Sequence, residues 1–141
     1  MKILFPTDGS AHSLAALRSL MSRFKWFAET PQIALINVHP HLPYARAVAW
    51  VGKEAASRYY AEESHAALAP ASAILAESGI PHEQVAKIGE PAHEIVRHAG
   101  EWNADLVAMG RHGHSPIAGL FMGSVAQKVL AIVTIPVLLL P

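Results

Sequence analysis

The stretch that decides the fold is DLVAMGRHGHSPIAGLFMGSVAQKVL, residues 105–130. An apolar run is followed by Gly110 and Gly113, and Gly123 with Ser124 stands directly before a segment of helical periodicity. Glycine is costly in ordered structure, so glycines between a buried strand and a helix predict a backbone that bends sharply and approaches a ligand. The free amides and the dipole at the start of that helix favour an anion such as phosphate.

Apolar runs and helical periodicities alternate through the rest of the chain. The apolar runs predict strands at residues 2–8, 32–38, 81–89, 104–109 and 136–140. Apolar residues at helical spacing predict helices at residues 12–24, 53–78, 90–102 and 123–133. Parallel strands need crossover connections, so this alternation predicts an α/β fold with a parallel sheet and helices on both faces.

Single residues mark the ends of the predicted helices. Ser10 or Ser13 can cap the first helix, and Gly79 is suited to end the second. Pro70 lies inside the second helical segment and predicts either a kink or a helix boundary there. Pro91 fits the first turn of the third helix.

The composition narrows the classes of function. The chain has 141 residues, 52% of them hydrophobic, and its 11 basic residues balance 11 acidic ones. The basic residues are scattered, which argues against a nucleic-acid partner, and no run is long enough for a membrane helix. The first residues become polar too soon for a signal peptide, and no cysteine is present for disulfides or thiolate chemistry. We therefore expect one cytoplasmic domain, residues 1–141, with no membrane partner, and the zero net charge favours an oligomer.

One edge of the predicted sheet gathers the candidate ligand-binding segments. PTDG follows the first strand, VHPH follows the second, and the glycine loop follows the fourth. In open parallel sheets, ligands bind beyond the carboxyl ends of the strands, where the strand order reverses. The sequence therefore predicts a ligand site formed by these three segments.

The glycine spacing resembles a known signature. Gly110-x2-Gly113-x9-Gly123-Ser124 is similar to the nucleotide-binding signature of the universal stress protein family. KILFPTDGS, INVHP, GEPAHEIV and IPVLLLP resemble other parts of that family in the same order, and only residues 39–60 have no counterpart. The resemblance implies one open, doubly wound parallel sheet of five strands in the order 3-2-1-4-5, with ATP bound by members that carry the signature.

The resemblance also implies a set of site residues. Those that would border the adenosine are Pro6, Thr7, Asp8 and Val38, the last through its backbone groups. Those that would wrap the ribose and phosphates are Met109, Gly110, Arg111 and Gly113. Those that would hold the phosphates through backbone amides and a hydroxyl are Gly123, Ser124 and Val125. His114, in the same loop, is interpreted as a further residue near the phosphates.

The implied ligand and the implied assembly follow from the same resemblance. The ligand is ATP or another adenine nucleotide, with Mg or Mn as an accompanying ion. Relatives dimerise through the last strand, so we expect a homodimer through residues 136–140, PVLLL. The residues themselves favour this pairing, because an uncharged edge strand is an aggregation hazard that a second copy would cover.

Plainer interpretations remain beside these. Asp8 could serve only to start a helix, and Arg111 could be a solvated loop charge instead of a phosphate ligand. The two H-x-H pairs, at residues 39–41 and 112–114, could hold a metal, although no cysteine or well-placed carboxylate completes either set. The aromatic residues at 44–60 could form a lid over the ligand or simply pack.

No catalytic residue is indicated by the sequence. Neither S-G-G-x-D-S nor H-x-G-H is present, and no Walker A motif occurs. The predicted function is that of an ATP-binding stress-response regulatory protein, a dimeric nucleotide-dependent sensor or interaction module. The alternatives are a slow ATP hydrolase that uses the same pocket and a nucleotide-independent stress chaperone or interaction protein.

Overall fold

The computed structural model describes residues 1–42, 52–113 and 122–141, and strands alternate with helices along them. The strands are β1 Lys2–Pro6, β2 Gln32–His39, β3 His82–Ile88, β4 Leu106–Gly110 and β5 Val137–Leu140. The α-helices in these ranges are α1 Ala11–Met21, α2 Lys53–Glu77, α3 Pro91–Glu101 and α4 Ser124–Ile132. Each element overlaps its predicted segment.

The strands form one parallel sheet in the order β3-β2-β1-β4-β5, which confirms the predicted fold class. β1 is the central strand. Its Pro6 pairs with Ile36 in β2, and its Leu4 pairs with Val107 in β4. The strand order reverses at β1, so the ligand-binding edge of such a sheet lies beyond the carboxyl end of this strand.

Two apolar cores cover the two faces of the sheet. Ile3 and Phe5 of β1 pack with residues of α1 and α2 on one face. Leu4 lies between them in the chain and packs with residues of α3 and α4 on the other face. All three side chains are fully buried. Because both faces are covered, β1 is a continuous apolar run without polar alternation.

Two predicted capping residues are found where helices begin and end, one before α1 and one after α2. The Ser10 hydroxyl oxygen accepts the Ser13 amide at 3.2 Å, so Ser10 and not Ser13 caps α1. Gly79 follows α2 with a φ of +67°, and the Ile80 amide donates to the Leu75 carbonyl at 2.9 Å. This left-handed glycine stop satisfies carbonyls that the last turn leaves without helical partners.

Of the two alternatives predicted at Pro70, a kink or a helix boundary, the boundary is wrong. α2 runs without interruption from Lys53 to Glu77, with Pro70 inside it. Proline removes one backbone amide from a helix and costs about 3 kcal/mol in a helix interior. Leu68, Ala71 and Leu75, on either side of Pro70, are buried against the sheet. This tertiary packing outweighs the local cost, as it does for most helices in proteins.

The first helix is shorter than its periodicity predicts. α1 ends at Met21, and Phe24–Trp26 forms a separate 3-10 turn. The Ser19 carbonyl accepts the Ser22 hydroxyl at 2.8 Å and the Arg23 guanidinium at 2.6 Å. These side-chain donors satisfy a carbonyl in the last turn of α1, so the helix ends before the apolar pattern does.

β5 is an edge strand, as the strand order implied by the resemblance requires. The carbonyls of Pro136 and Leu140 accept amides from the β4 side at 3.0 Å each. Backbone groups alternate in direction along a strand, so those of Val137 and Leu139 point away from β4. Within the described ranges, no helix combines the length and the apolar character needed to cross a membrane.

Candidate functional site

The sheet opens beyond the carboxyl end of β1. The Thr7 amide still donates to the Ile36 carbonyl at 2.9 Å, but β2 and β4 both continue past this level. Since the backbone carbonyl of Ile36 faces β1, the amide and carbonyl of Val38, two residues later, face the gap that β1 leaves. The Arg111 amide donates to β5, so the backbone groups of Gly110 face the gap from the opposite side.

A cavity of about 250 Å³ occupies this crevice. The predicted site residues that line it are Pro6, Thr7, Asp8, Val38, Met109, Gly110, Arg111, Gly113, Gly123, Ser124 and Val125. His114, also predicted, lies outside the described residues. The cavity wall therefore contains every predicted site residue that the structure describes. Further lining residues, which the sequence did not indicate, are Ser13, Ile36, Asn37, Pro91, Ile95, His112 and Ala126.

A buried polar network holds the wall formed by the loop between β1 and α1. The Ser13 hydroxyl donates to the Thr7 hydroxyl oxygen at 2.8 Å, and the Asn37 side-chain amide donates to the Thr7 carbonyl at 2.8 Å. Thr7 and Ser13 are each 5% exposed and Asn37 is 8% exposed, so these bonds replace water and fix the loop. Asn37 was detectable in principle, because a polar residue inside the apolar run QIALINV requires a buried partner.

Asp8 combines the two roles considered for it. One carboxylate oxygen accepts the Ser10 amide at 3.0 Å and so supports the start of α1, while the residue also lines the cavity. The next residue, Gly9, has a φ of +74°, and a Cβ there would lie 2.9 Å from the Cα of Ala67 in α2. Glycine is required here because the loop carries Asp8 into the cavity wall while passing directly against α2.

The three signature glycines allow close approach and not a left-handed turn. Gly110, Gly113 and Gly123 all lack a positive φ, so none of them is required for a left-handed backbone. A Cβ on Gly113 would meet the Asp8 Oδ2 at 3.0 Å, and one on Gly110 would lie 3.2 Å from the His112 carbonyl oxygen. The absence of side chains lets the glycine loop lie against the loop that carries Asp8.

The glycine loop closes on itself where α4 begins. The Gly123 amide, predicted to hold phosphate, donates to the Arg111 carbonyl at 2.7 Å, and the Gln127 amide donates to the Gly123 carbonyl at 3.0 Å. The Gly123 amide therefore holds the loop together in this structure. The amides of Ser124 and Val125 precede the first hydrogen bond within the helix, and both residues line the cavity.

The cavity wall carries few charges. Among its described residues, Asp8, Arg111 and His112 are the ionisable ones. The carboxylate of Asp8 and the guanidinium of Arg111 cancel in formal charge. The groups of this wall that suit a bound anion are therefore the exposed Arg111 guanidinium and the first-turn amides of α4.

An ion pair joins α3 to α4 beside the cavity. The Glu90 carboxylate caps α3 by accepting the His93 amide at 2.9 Å, and it meets the Lys128 ammonium of α4 at 3.1 Å. The hydrogen bond from His93, helped by Lys128, holds the pKa of Glu90 below its ordinary value. Pro91, the next residue, lines the cavity, so this pair lies directly beside one cavity wall.

In the described part of the segment without a counterpart, His39 and Leu42 contact two tyrosines of α2. The His39 ring lies 5.6 Å from the Tyr59 ring and 5.1 Å from the Tyr60 ring, centroid to centroid. The Tyr60 hydroxyl accepts the Leu42 amide at 2.9 Å. Residues 43–51, and with them most of the predicted lid, lie outside the described residues. In the part that the structure describes, no three His, Cys, Asp or Glu side chains come together as a metal site.

Comparison with known proteins identifies one family. The universal stress protein family model matches residues 1–141. The universal stress protein MJ0531 of Methanocaldococcus jannaschii is 34% identical, over 97% of this chain and 79% of its own. The solved structure of hypothetical protein MJ0577 is similar with a TM-score of 0.81 at 26% identity, over 99% of this chain and 94% of that one. A solved universal stress protein in complex with cAMP has a TM-score of 0.57 at 25% identity, over 99% and 95% of the two chains.

Proposed function

Because this chain belongs to the universal stress protein family, we propose that it binds an adenine nucleotide, ATP foremost, in the crevice beyond β1. It acts as a regulatory module of a cytoplasmic stress response, and its dimer reports the bound nucleotide to other molecules. The observation that carries this proposal is the convergence of the implied site residues on one cavity wall. The relative solved with cAMP supports the same class of ligand.

The base end of the proposed site is the gap between β2 and β4. Adenine offers an amino donor and ring-nitrogen acceptors along its edge. The carbonyl and amide of Val38 face the gap and can meet such an edge. Ile36, Ile95 and Met109 add apolar surface to the same cavity, which suits the faces of a purine ring.

The phosphate end of the proposed site is the start of α4. Gly123 has no side chain with which to cap this helix, and the first-turn residues Ser124 and Val125 line the cavity. These amides, the positive end of the helix dipole and the Arg111 guanidinium fit a phosphate chain. Mg or Mn accompanies ATP in this proposal, and no residue of this chain is assigned to the ion.

The proposed dimer pairs β5 with the same strand of a second copy. The backbone groups of Val137 and Leu139 point away from β4 and would form the new ladder. The Arg111 amide donates to the Leu140 carbonyl at 3.0 Å, so a residue of the cavity wall is bonded to the dimer strand. This bond would couple nucleotide occupancy to the pairing of the two copies.

The first experiment identifies any nucleotide that is released when the purified protein is denatured. Mg-ATP at about 100 times its Kd should then stabilise the protein by about 2.7 kcal/mol, which raises its Tm by about 5–10 °C. Asp8→Ala should weaken ATP binding about tenfold or more, because it removes a charged hydrogen-bonding group. Gly123→Val should also weaken it, because its methyl groups would enter the space between Arg111 and Gly113.

Gly100→Val is the matched control, since a Cβ there meets no atom within 4 Å beyond the neighbouring backbone of its own helix, and the residue lies outside the cavity wall. Absence of co-purified nucleotide, together with no stabilisation by ATP, ADP, AMP or cAMP, would reject the proposal and favour a nucleotide-independent chaperone. ADP production that is lost in Asp8→Ala and Gly123→Val but kept in Gly100→Val would instead favour the slow ATP hydrolase.

A further inference from the structure

Two histidines from distant parts of the chain meet at the rim of the cavity. His12 is exposed on the first turn of α1, and His112 belongs to the glycine loop and lines the cavity. Their ring centroids lie 6.4 Å apart, with an angle of 61° between the ring planes. The fold therefore places a second imidazole beside the one in the cavity wall.

Among the described residues of the cavity wall, the charges around this histidine pair are few. Asp8 comes from the loop before α1, and Arg111 precedes His112 in the glycine loop. The residues that β2, α3 and α4 contribute to the cavity wall are uncharged, and α2 approaches Gly9 through the backbone of Ala67. With both imidazoles neutral, the charges of Asp8 and Arg111 cancel, so the described cavity wall has no net charge. Protonation of the pair would add two positive charges where an anion would bind.

We propose that His12 and His112 together bind the phosphates of the nucleotide in their protonated form, and that nucleotide affinity therefore depends on pH. This inference rests on the proposed function, because it assigns a role to two further residues of the same site. His12 does not line the cavity in this structure, so it acts on a phosphate that projects from the rim.

The direction of the pH dependence follows from the charges. An unperturbed imidazole titrates near pH 6.5, and two protonated imidazoles at this separation repel each other while the site is empty. A phosphate chain beside them favours the protonated forms, so binding takes up protons. The gain in affinity is complete at any pH low enough to protonate both imidazoles in the nucleotide-free protein. It is lost as pH rises through the range in which the imidazoles of the nucleotide-bound protein lose their protons.

The experiment measures Kd by calorimetry from pH 5.5 to pH 8.5 for ATP and for adenosine, which has no phosphate. We expect ATP to bind on the order of tenfold to a hundredfold more tightly at the acid end, since a bound ligand that raises the pKa of one group by one unit gains about tenfold in affinity. Adenosine affinity should stay flat. ATP titrations in buffers of different ionisation enthalpy should show net proton uptake.

The phosphates of ATP also titrate, so the variants His12→Gln and His112→Gln are needed to separate the contribution of the protein to the pH dependence from that of the ligand. Each variant should lose part of the pH slope for ATP, and the double variant should lose most of it while adenosine still binds. His65→Gln, at an exposed position on α2, is the control and should keep the full slope.

Three results would overturn the pairing: a Kd for ATP that does not change with pH in the unaltered protein, a full pH slope in the double variant, or a full pH slope in either single variant. Retained adenosine binding in each variant shows that the site is still folded. If neither ATP nor adenosine binds at any pH, the proposed function has failed, which is a different outcome from a pH-independent affinity.

Discussion

Gly9→Ala tests the contact that holds the Asp8 loop against α2. Gly9 has a φ of +74°, and a Cβ on it would lie 2.9 Å from the Cα and 3.0 Å from the carbonyl oxygen of Ala67. Both contacts are with backbone atoms, which no side-chain rotation can relieve. The substitution must therefore move either the loop or the helix.

The expected cost has two parts. A left-handed backbone at a residue with a Cβ costs about 1–2 kcal/mol. Forcing additional volume into a packed interface costs about 1–3 kcal/mol. We expect Gly9→Ala to lower the free energy of unfolding by about 2–5 kcal/mol in total, a large share of the about 5–15 kcal/mol typical of a domain.

Gly79→Ala is a matched control for the first of these parts. Gly79 has a φ of +67°, but a Cβ there meets no atom within 4 Å. It should cost only the backbone part, about 1–2 kcal/mol. Both variants reduce the conformational entropy of the unfolded chain in the same way, so this effect cancels between them.

Urea unfolding followed by circular dichroism and by tryptophan fluorescence gives both free energies, and coincident transitions confirm that unfolding is two-state. Gly9→Ala should be less stable than Gly79→Ala by about 1–3 kcal/mol, the contribution of the packing contact. Equal losses in the two variants would refute the close packing of this loop on α2, and with it the reason given for Gly9.

The remaining predictions address the site, the ion pair and the dimer. Gly113→Ala should change the Tm by only a few degrees, because the flexible Asp8 carboxylate can move away, yet it should weaken ATP binding; unchanged ATP affinity would contradict this. The lowered pKa of Glu90 means that its hydrogen bond from the His93 amide, together with its ion pair to Lys128, stabilises the protein above about pH 4.5 and loses this effect as pH falls. Glu90→Gln should therefore cost about 0.5–1 kcal/mol at pH 7 and less at pH 3.5; an equal cost in urea titrations at both pH values would exclude this. Leu139→Pro removes an amide that points away from β4, so it should prevent the proposed dimer from forming in sedimentation velocity, and a dimer that persists would exclude β5 pairing.

Much of the fold could be predicted because its signals are local. β1 is a continuous apolar run since both faces of the sheet are covered, and this pattern can be detected without knowing its partners. Ser10 and Gly79 end helices through geometry that spans only a few residues. Pro70 shows where local reasoning stops, because its cost is outweighed by packing of α2 against strands distant in sequence.

The candidate site also combines features that could be predicted from the sequence with features that only tertiary contacts set. The family resemblance implied which residues line the cavity, but it did not indicate that the Gly123 amide closes the loop onto Arg111. The Asn37 bond to Thr7 and the His12 contact with His112 join residues 30 and 100 positions apart in the chain, and neither pair shares a local pattern.

The sequence by itself therefore determined the order of elements, the parallel sheet and the segments that meet beyond β1. Those features depend on burial periodicity and on turn residues, which act over a few positions along the chain. Only the tertiary structure decided that Gly9 must be glycine, which amides remain for a ligand and which two imidazoles share the rim. These depend on distances between elements, and the packing of the sheet and helices sets those distances after the chain has folded.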